Sequence, residues 1–185
     1  MRHLLILGPP GAGKGTQSVL IAERLHIKHL STGDVLRNAV EEKSELGLKA
    51  KAIIEAGSLV SDDIMIGIIY DALKVKGMRK GFILDGFPRT IKQAAALDVL
   101  LSELGYPPIL VINIVVPEEE LIQRMLGRGR NDDSADTARH RLAIFREQTE
   151  PLIEHYSKKS ALINIDGVGT IGEINDRIFE RLNAC

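Results

Sequence analysis

Gly8-Pro9-Pro10-Gly11-Ala12-Gly13-Lys14-Gly15-Thr16 follows an apolar run, Arg2–Leu7, and opens a helical pattern, Lys14–Leu25. Glycines at this spacing let backbone N–H groups turn inward around an anion, and the helix N-terminus adds partial positive charge at the same point. Lys14 then stands where the outer phosphates of a nucleotide triphosphate would lie. The residue after Lys14 is Gly15 rather than Ser or Thr, so the hydroxyl that ordinarily meets Mg²⁺ is displaced to Thr16. A metal here is expected to be held mainly through water and substrate oxygens.

Four further short apolar runs lie outward from this stretch: Lys28–Leu30, Gly81–Asp85, Pro108–Val116 and Ala161–Asp166. All are continuous rather than alternating, as strands covered on both faces should be. Between them run helical patterns over Gly33–Glu42, Leu46–Glu55, Asp62–Lys76, Thr90–Leu104, Glu118–Leu126, Ser134–Ser157 and Thr170–Asn183. Alternation of this kind predicts an α/β fold with a parallel sheet between helical layers. Two places break the rhythm. Several helices succeed one another between Leu30 and Gly81, predicting a helical insertion at the sheet edge. An arginine-bearing polar loop begins at Gly127 and ends near Ala135.

The chain has 185 residues, 44% hydrophobic and 26% charged, with Lys+Arg 24 against Asp+Glu 25 and a net charge of −1. That size and balance fit a single folded domain and exclude a disordered chain. The charge marks neither a nucleic-acid binder nor a membrane-surface binder, and with aromatics at 4% and no Trp, stacking platforms for bases are scarce. One cysteine, Cys185, leaves no intramolecular disulfide and no multi-cysteine zinc site. The longest apolar run, Ile109–Val116, is interrupted by Asn113 and falls far short of the ~20 residues that span a bilayer. The first residues lack the pattern of a signal peptide. A cytoplasmic protein is expected.

Asp85-Gly86-Phe87-Pro88-Arg89 closes the third apolar run, and ligands of open α/β sheets gather outside the carboxyl ends of strands. Asp85 could anchor waters of Mg²⁺ and Arg89 could clamp a phosphate, although a plain strand-ending turn would read the same way. Arg124, Arg128, Arg130, Arg139, Arg141 and Arg146 crowd one region, with Arg124 and Arg128 on one helix face. A dense cluster of this type suits a polyphosphate, and a solvated helix face accounts for some of its members. Whether Arg139 or Arg141 points inward is left open by the spacing. The histidines show no metal-binding spacing. Asp166-Gly167-Val168-Gly169 matches a GTPase motif in letters only, since it follows the last strand and no guanine-recognition motif accompanies it.

Taken in order, Gly8–Thr16, Ser31-Thr32-Gly33-Asp34 with Arg37, Asp85–Arg89 with Gln93, and the arginines around the lid resemble adenylate kinases over the whole chain. The resemblance implies a five-stranded parallel sheet, a monophosphate-binding insertion over 31–60, and a short lid over 127–136. It implies that Gly11, Ala12, Gly13, Lys14, Gly15 and Thr16 hold the ATP phosphates, with Arg128 and the backbone of Gly169 also on the ATP side. AMP would be held by Thr32, Arg37, the backbone of Ser58, Leu59 and Val60, Gly86, Phe87, Pro88, Arg89, Gln93, Arg130 and Arg141. Lys14, Arg37, Arg89, Arg124, Arg128 and Arg141 would stabilise the moving phosphoryl group, and the Phe87–Pro88 bond would be cis. The implied partners are ATP, AMP and ADP with Mg²⁺, held by Asp85 through water only. No structural zinc, nucleic acid, membrane or second protein chain is expected. The short lid is shared with uridylate–cytidylate kinases. Gln93 could accept from adenine N6 and donate to N1, and the same amide turned over would suit a pyrimidine. A non-catalytic ATP-binding module is the remaining alternative.

Overall fold

The computed structural model describes residues 2–56, 58–75, 77–127 and 134–184, with all their side chains except those of Leu46 and Lys49. Arg128 and Arg130 lie outside the described residues. Five strands, β1 (His3–Leu7), β2 (Lys28–Ser31), β3 (Phe82–Asp85), β4 (Leu110–Val115) and β5 (Leu162–Asp166), form one sheet in the order β2-β3-β1-β4-β5. Every pairing is parallel. The expected strands are present; β2 runs one residue further, to Ser31, and the others are trimmed at their ends. Pro108, for instance, has no N–H to give to a ladder and stays outside β4.

Alternate residues of β1 feed two cores. Leu5 and Leu7 join Phe82, Leu84 and Val111 on one face, while Leu4 and Ile6 join Ile83, Ile112 and Ile114 on the other. Each fully buried aliphatic side chain there contributes about 1.5–3 kcal/mol. The second core is covered by α1 (Lys14–Leu25), α6 (Glu118–Gly127), α7 (Ala135–Ile144) and α9 (Ile171–Asn183). The first core is covered by α4 (Asp62–Lys74), α5 (Ile91–Glu103) and α8 (Pro151–Lys158), with α2 (Thr32–Glu41) and α3 (Glu45–Glu55) packed beside them. Between β2 and β3 the chain runs through α2, α3, α4 and a single tight turn at Met78–Lys80.

The helix expected over Ser134–Ser157 is not one regular helix. It widens into a π-type segment at Phe145–Thr149 and restarts at Pro151. Pro151 has no N–H to donate to the preceding turn, so the ladder shifts register there. Helix starts otherwise follow their caps. Ser31 accepts from the Asp34 N–H at 3.2 Å, Thr90 from the Gln93 N–H at 3.1 Å, and Thr170 forms a reciprocal capping box with Glu173. Ser61 precedes α4 but makes no such bond.

Candidate active site

The carboxyl ends of three adjacent strands meet at one level. Asp85 on β3 is in register with Ile6 on β1 and Ser31 on β2. The loop after β1, the turn after β3 and the start of α2 therefore converge on one cleft of about 1010 Å³. This is the topological switch point of the sheet, where such folds bind ligands.

The first loop is shaped by close approach. Gly8 has φ +141°, and a Cβ there would lie 2.7 Å from the Ile114 carbonyl on β4, so the loop seats against the sheet only with glycine. Lys14 Nζ folds back over it, donating to the carbonyls of Gly8 at 2.8 Å and Pro9 at 2.9 Å. Gly11 through Thr16 all line the cleft, and so does Gly169 from the far side.

On the other side Thr32, Arg37, Ser58, Leu59, Val60, Gly86, Pro88, Arg89 and Gln93 line the same cleft. Phe87 does not. It is buried in the core, and the Phe87–Pro88 peptide is cis, as the resemblance implied. Thr32 is also buried, and its hydroxyl donates to the Asp85 carbonyl at 3.2 Å. Gly86, at φ +83°, packs so tightly that a Cβ would come within 2.6 Å of that hydroxyl and 3.2 Å of an Arg89 nitrogen.

Arg89 is aimed by its surroundings. Its Nε donates to the Gly86 carbonyl at 2.8 Å, its own N–H donates to Gln93 Oε1 at 2.7 Å, and its carbonyl accepts from the Thr149 hydroxyl at 2.8 Å. The π-type segment thus supplies a prop for the arginine. Burial lowers the pKa of this guanidinium from the ordinary arginine value; Asp85 opposes that, and Arg141 and Arg37 add repulsion. Three cations face one space, an arrangement suited to an anion lying between them.

Arg141 lines the cleft, whereas Arg139 is exposed and pairs with Asp136 at 3.6 Å, which answers the question its spacing left open. Arg124 also lines the cleft, but its guanidinium is engaged by Glu120 and by the Gly167 carbonyl at 2.9 Å. Arg37 is paired with Asp34. Sequence reasoning missed the apolar wall of the cleft, formed by Leu36, Ile54 and Met65. Their helical spacing is that of ordinary core residues, and no local signal sets them apart.

Asp85 stands against the start of α1: its Oδ2 is 3.5 Å from where a Cβ on Gly15 would sit, and 3.8 Å from His29 Nε2. Among the described residues no three His, Cys, Asp or Glu side chains form a group able to hold a metal by themselves. A carboxylate beside a phosphate loop fits Mg²⁺, which keeps several waters and takes the rest of its ligands from phosphates.

A family model described as Adenylate kinase matches residues 6–161. The chain belongs to the adenylate kinase family. It is 46% identical over 181 residues to an adenylate kinase of Stenotrophomonas maltophilia, covering 96% of this chain and 97% of that one. An adenylate kinase of Corynebacterium aurimucosum is 47% identical over 182 residues, with 98% and 99% covered. One of Nocardia farcinica is 42% identical over 180 residues, with 97% and 98% covered. The phosphate loop shares its cleft with Arg37, Arg89, Arg124 and Arg141. Among its described residues no helix is long and apolar enough to cross a membrane.

Proposed function

We infer that the chain transfers the terminal phosphoryl group of ATP to AMP, reversibly giving two ADP. The observation that carries this reading is the meeting of two phosphate clamps in one cleft, Lys14 with its glycine loop on one side and Arg37, Arg89 and Arg141 on the other. A module that only bound ATP would need no second clamp. A coupled assay for ADP tests the reading: ATP with AMP should give rapid turnover, while UMP, GMP or ATP alone should give little. Turnover faster with UMP than with AMP would overturn it in favour of a pyrimidine kinase.

The attacking oxygen belongs to a phosphate whose second pKa is about 6, so it is largely deprotonated at neutral pH and needs no general base. Catalysis then consists of in-line positioning and charge stabilisation. Arg37 and Arg89 grip the AMP phosphate. Lys14 follows the transferred group, joined by Arg124 once it leaves Glu120. Arg128 and Arg130 keep the roles the resemblance implies, on the ATP and the AMP side. The apolar wall of Leu36, Ile54 and Met65, with the backbone of 58–60, covers the AMP base and ribose and keeps water from the reacting phosphoryl group. When bound with ATP, Mg²⁺ would supply positive charge against the phosphates. Asp85 would hold it through water, beside Thr16. A substrate-bound crystal structure with either side chain directly on the metal would refute this assignment. In this reading the protein acts as a monomer on nucleotides of the cytoplasm, without nucleic acid or membrane.

The insertion over 31–60 and the lid over 127–136 serve different substrates in this reading. AMP should slow amide exchange mainly in 31–60, whereas a bisubstrate compound joining both nucleosides through a phosphate chain should slow it in both segments. The central strands should change little. Equal protection of both segments by AMP would refute the division.

A further inference from the structure

We propose that Asp62 is a positioning residue that fixes the polarity of the Gln93 amide. The acceptor site then takes a base with an amino group beside a bare ring nitrogen and rejects the oxo counterpart. The inference rests on the reading of AMP as acceptor and deepens it.

Gln93 is 2% exposed, yet it lines the cleft. Both ends of its amide already have partners of one polarity. Oε1 accepts from the Arg89 backbone N–H at 2.7 Å, and that group can only donate. Nε2 donates to Asp62 Oδ1 at 2.7 Å, and a carboxylate can only accept. Asp62 is itself pinned, because the Thr90 hydroxyl reaches its two oxygens at 3.1 and 3.2 Å. Thr90 also caps the helix on whose first turn Gln93 sits. Rotating the amide by half a turn would set N–H against N–H at Arg89 and oxygen against oxygen at Asp62. Both contacts would be lost in a nearly dry place, where unpaired polar groups are costly.

With that orientation fixed, the amide keeps one lone pair on Oε1 and one proton on Nε2. Adenine answers them with its N6 amino protons and its N1 lone pair. Hypoxanthine, guanine and uracil present the reverse order, an oxygen beside a ring N–H. Sites built on such polar complementarity discriminate far more strongly than apolar pockets do. AMP and IMP differ at this edge and have nearly the same shape, so they isolate the effect.

The test measures kcat/KM for AMP and for IMP in the wild type, in Asp62→Asn, and in both again with Gln93→Met. Asn can turn either end of its own amide toward Gln93 and no longer dictates polarity. Asp62→Asn should therefore reduce the AMP/IMP preference at least ~10-fold. KM for ATP should stay within about twofold, since the side chain lies away from the phosphate loop. In the Gln93→Met background the same substitution should leave the ratio unmoved. A parallel fall with AMP and IMP would show a merely structural role and overturn the proposal, as would a ratio change that persists without Gln93. Should Asp62→Asn fail to fold, the wild type decides by NMR: one Gln93 side-chain amide proton should exchange slowly in the ligand-free protein, and two freely exchanging protons would overturn the proposal. A wild type that makes no ADP from AMP would overturn the acceptor reading itself. A wild type active on AMP with an unmoved ratio in Asp62→Asn overturns this inference alone.

Discussion

Lys14→Met should lower kcat by about 10³-fold, equivalent to roughly 4 kcal/mol of transition-state stabilisation. Lys14 brings a full charge to the phosphate loop, and its Nζ also ties the Gly8 and Pro9 carbonyls together. Methionine keeps the length of the side chain and loses both. The backbone N–H groups of the glycine loop survive the change, so KM for ATP should rise by about tenfold at most. The fold should persist, because the two cores draw nothing from this side chain. Steady-state kinetics beside circular dichroism checks the claim. Near-normal turnover in a folded variant would remove the assignment of Gly8–Thr16 as the site of phosphoryl transfer.

Arg89→Met should reduce kcat/KM for AMP by a comparable factor, about 10³-fold, while KM for ATP changes little. Only the Nε bond to the Gly86 carbonyl goes with the side chain; the other two contacts that organise this turn belong to the backbone of Arg89, whose N–H reaches Gln93 and whose carbonyl receives Thr149. They outlast the side chain, so the loss should fall on phosphate binding rather than on folding. Arg89→Lys should recover only part of it, since an ammonium cannot reproduce a two-pronged grip while its guanidinium-like neighbours stay in place. Full activity in Arg89→Lys would mean that net charge matters here and geometry does not.

Much of this architecture was legible because it depends on local rules. β1, β3 and the middle of β4 are buried on both faces and so read as unbroken apolar runs. Caps such as Thr90 and Thr170 sit beside the helices they start, and the phosphate loop is one contiguous stretch. What could not be read depends on residues distant in the chain. Leu36, Ile54 and Met65 look like any helix core until folding turns them toward the cleft. Arg141 and Arg139 are two residues apart, and only the packing of α7 on Ala138 and Leu142 decides which of them faces inward. The engagement of Arg124 by the Gly167 carbonyl, and the polarity of Gln93 set by Asp62, join residues 43 and 31 positions apart. The break before Pro151 was different. Its signal was present in a single residue, outweighed by a long run of helix-forming neighbours.

The crowding of Arg37 and Arg141 on the half-buried Arg89 has a consequence for the durability of the protein in a living cell. Arg37 and Arg141 repel Arg89 while Asp85 attracts it, and a phosphate bound among the three arginines adds a second attraction. A ligand present at 100 times its dissociation constant adds about 2.7 kcal/mol to a folded protein. Against a total of about 5–15 kcal/mol, that is a sizeable share. Heat tolerance and resistance to proteolysis should therefore rise with the AMP concentration relative to its dissociation constant.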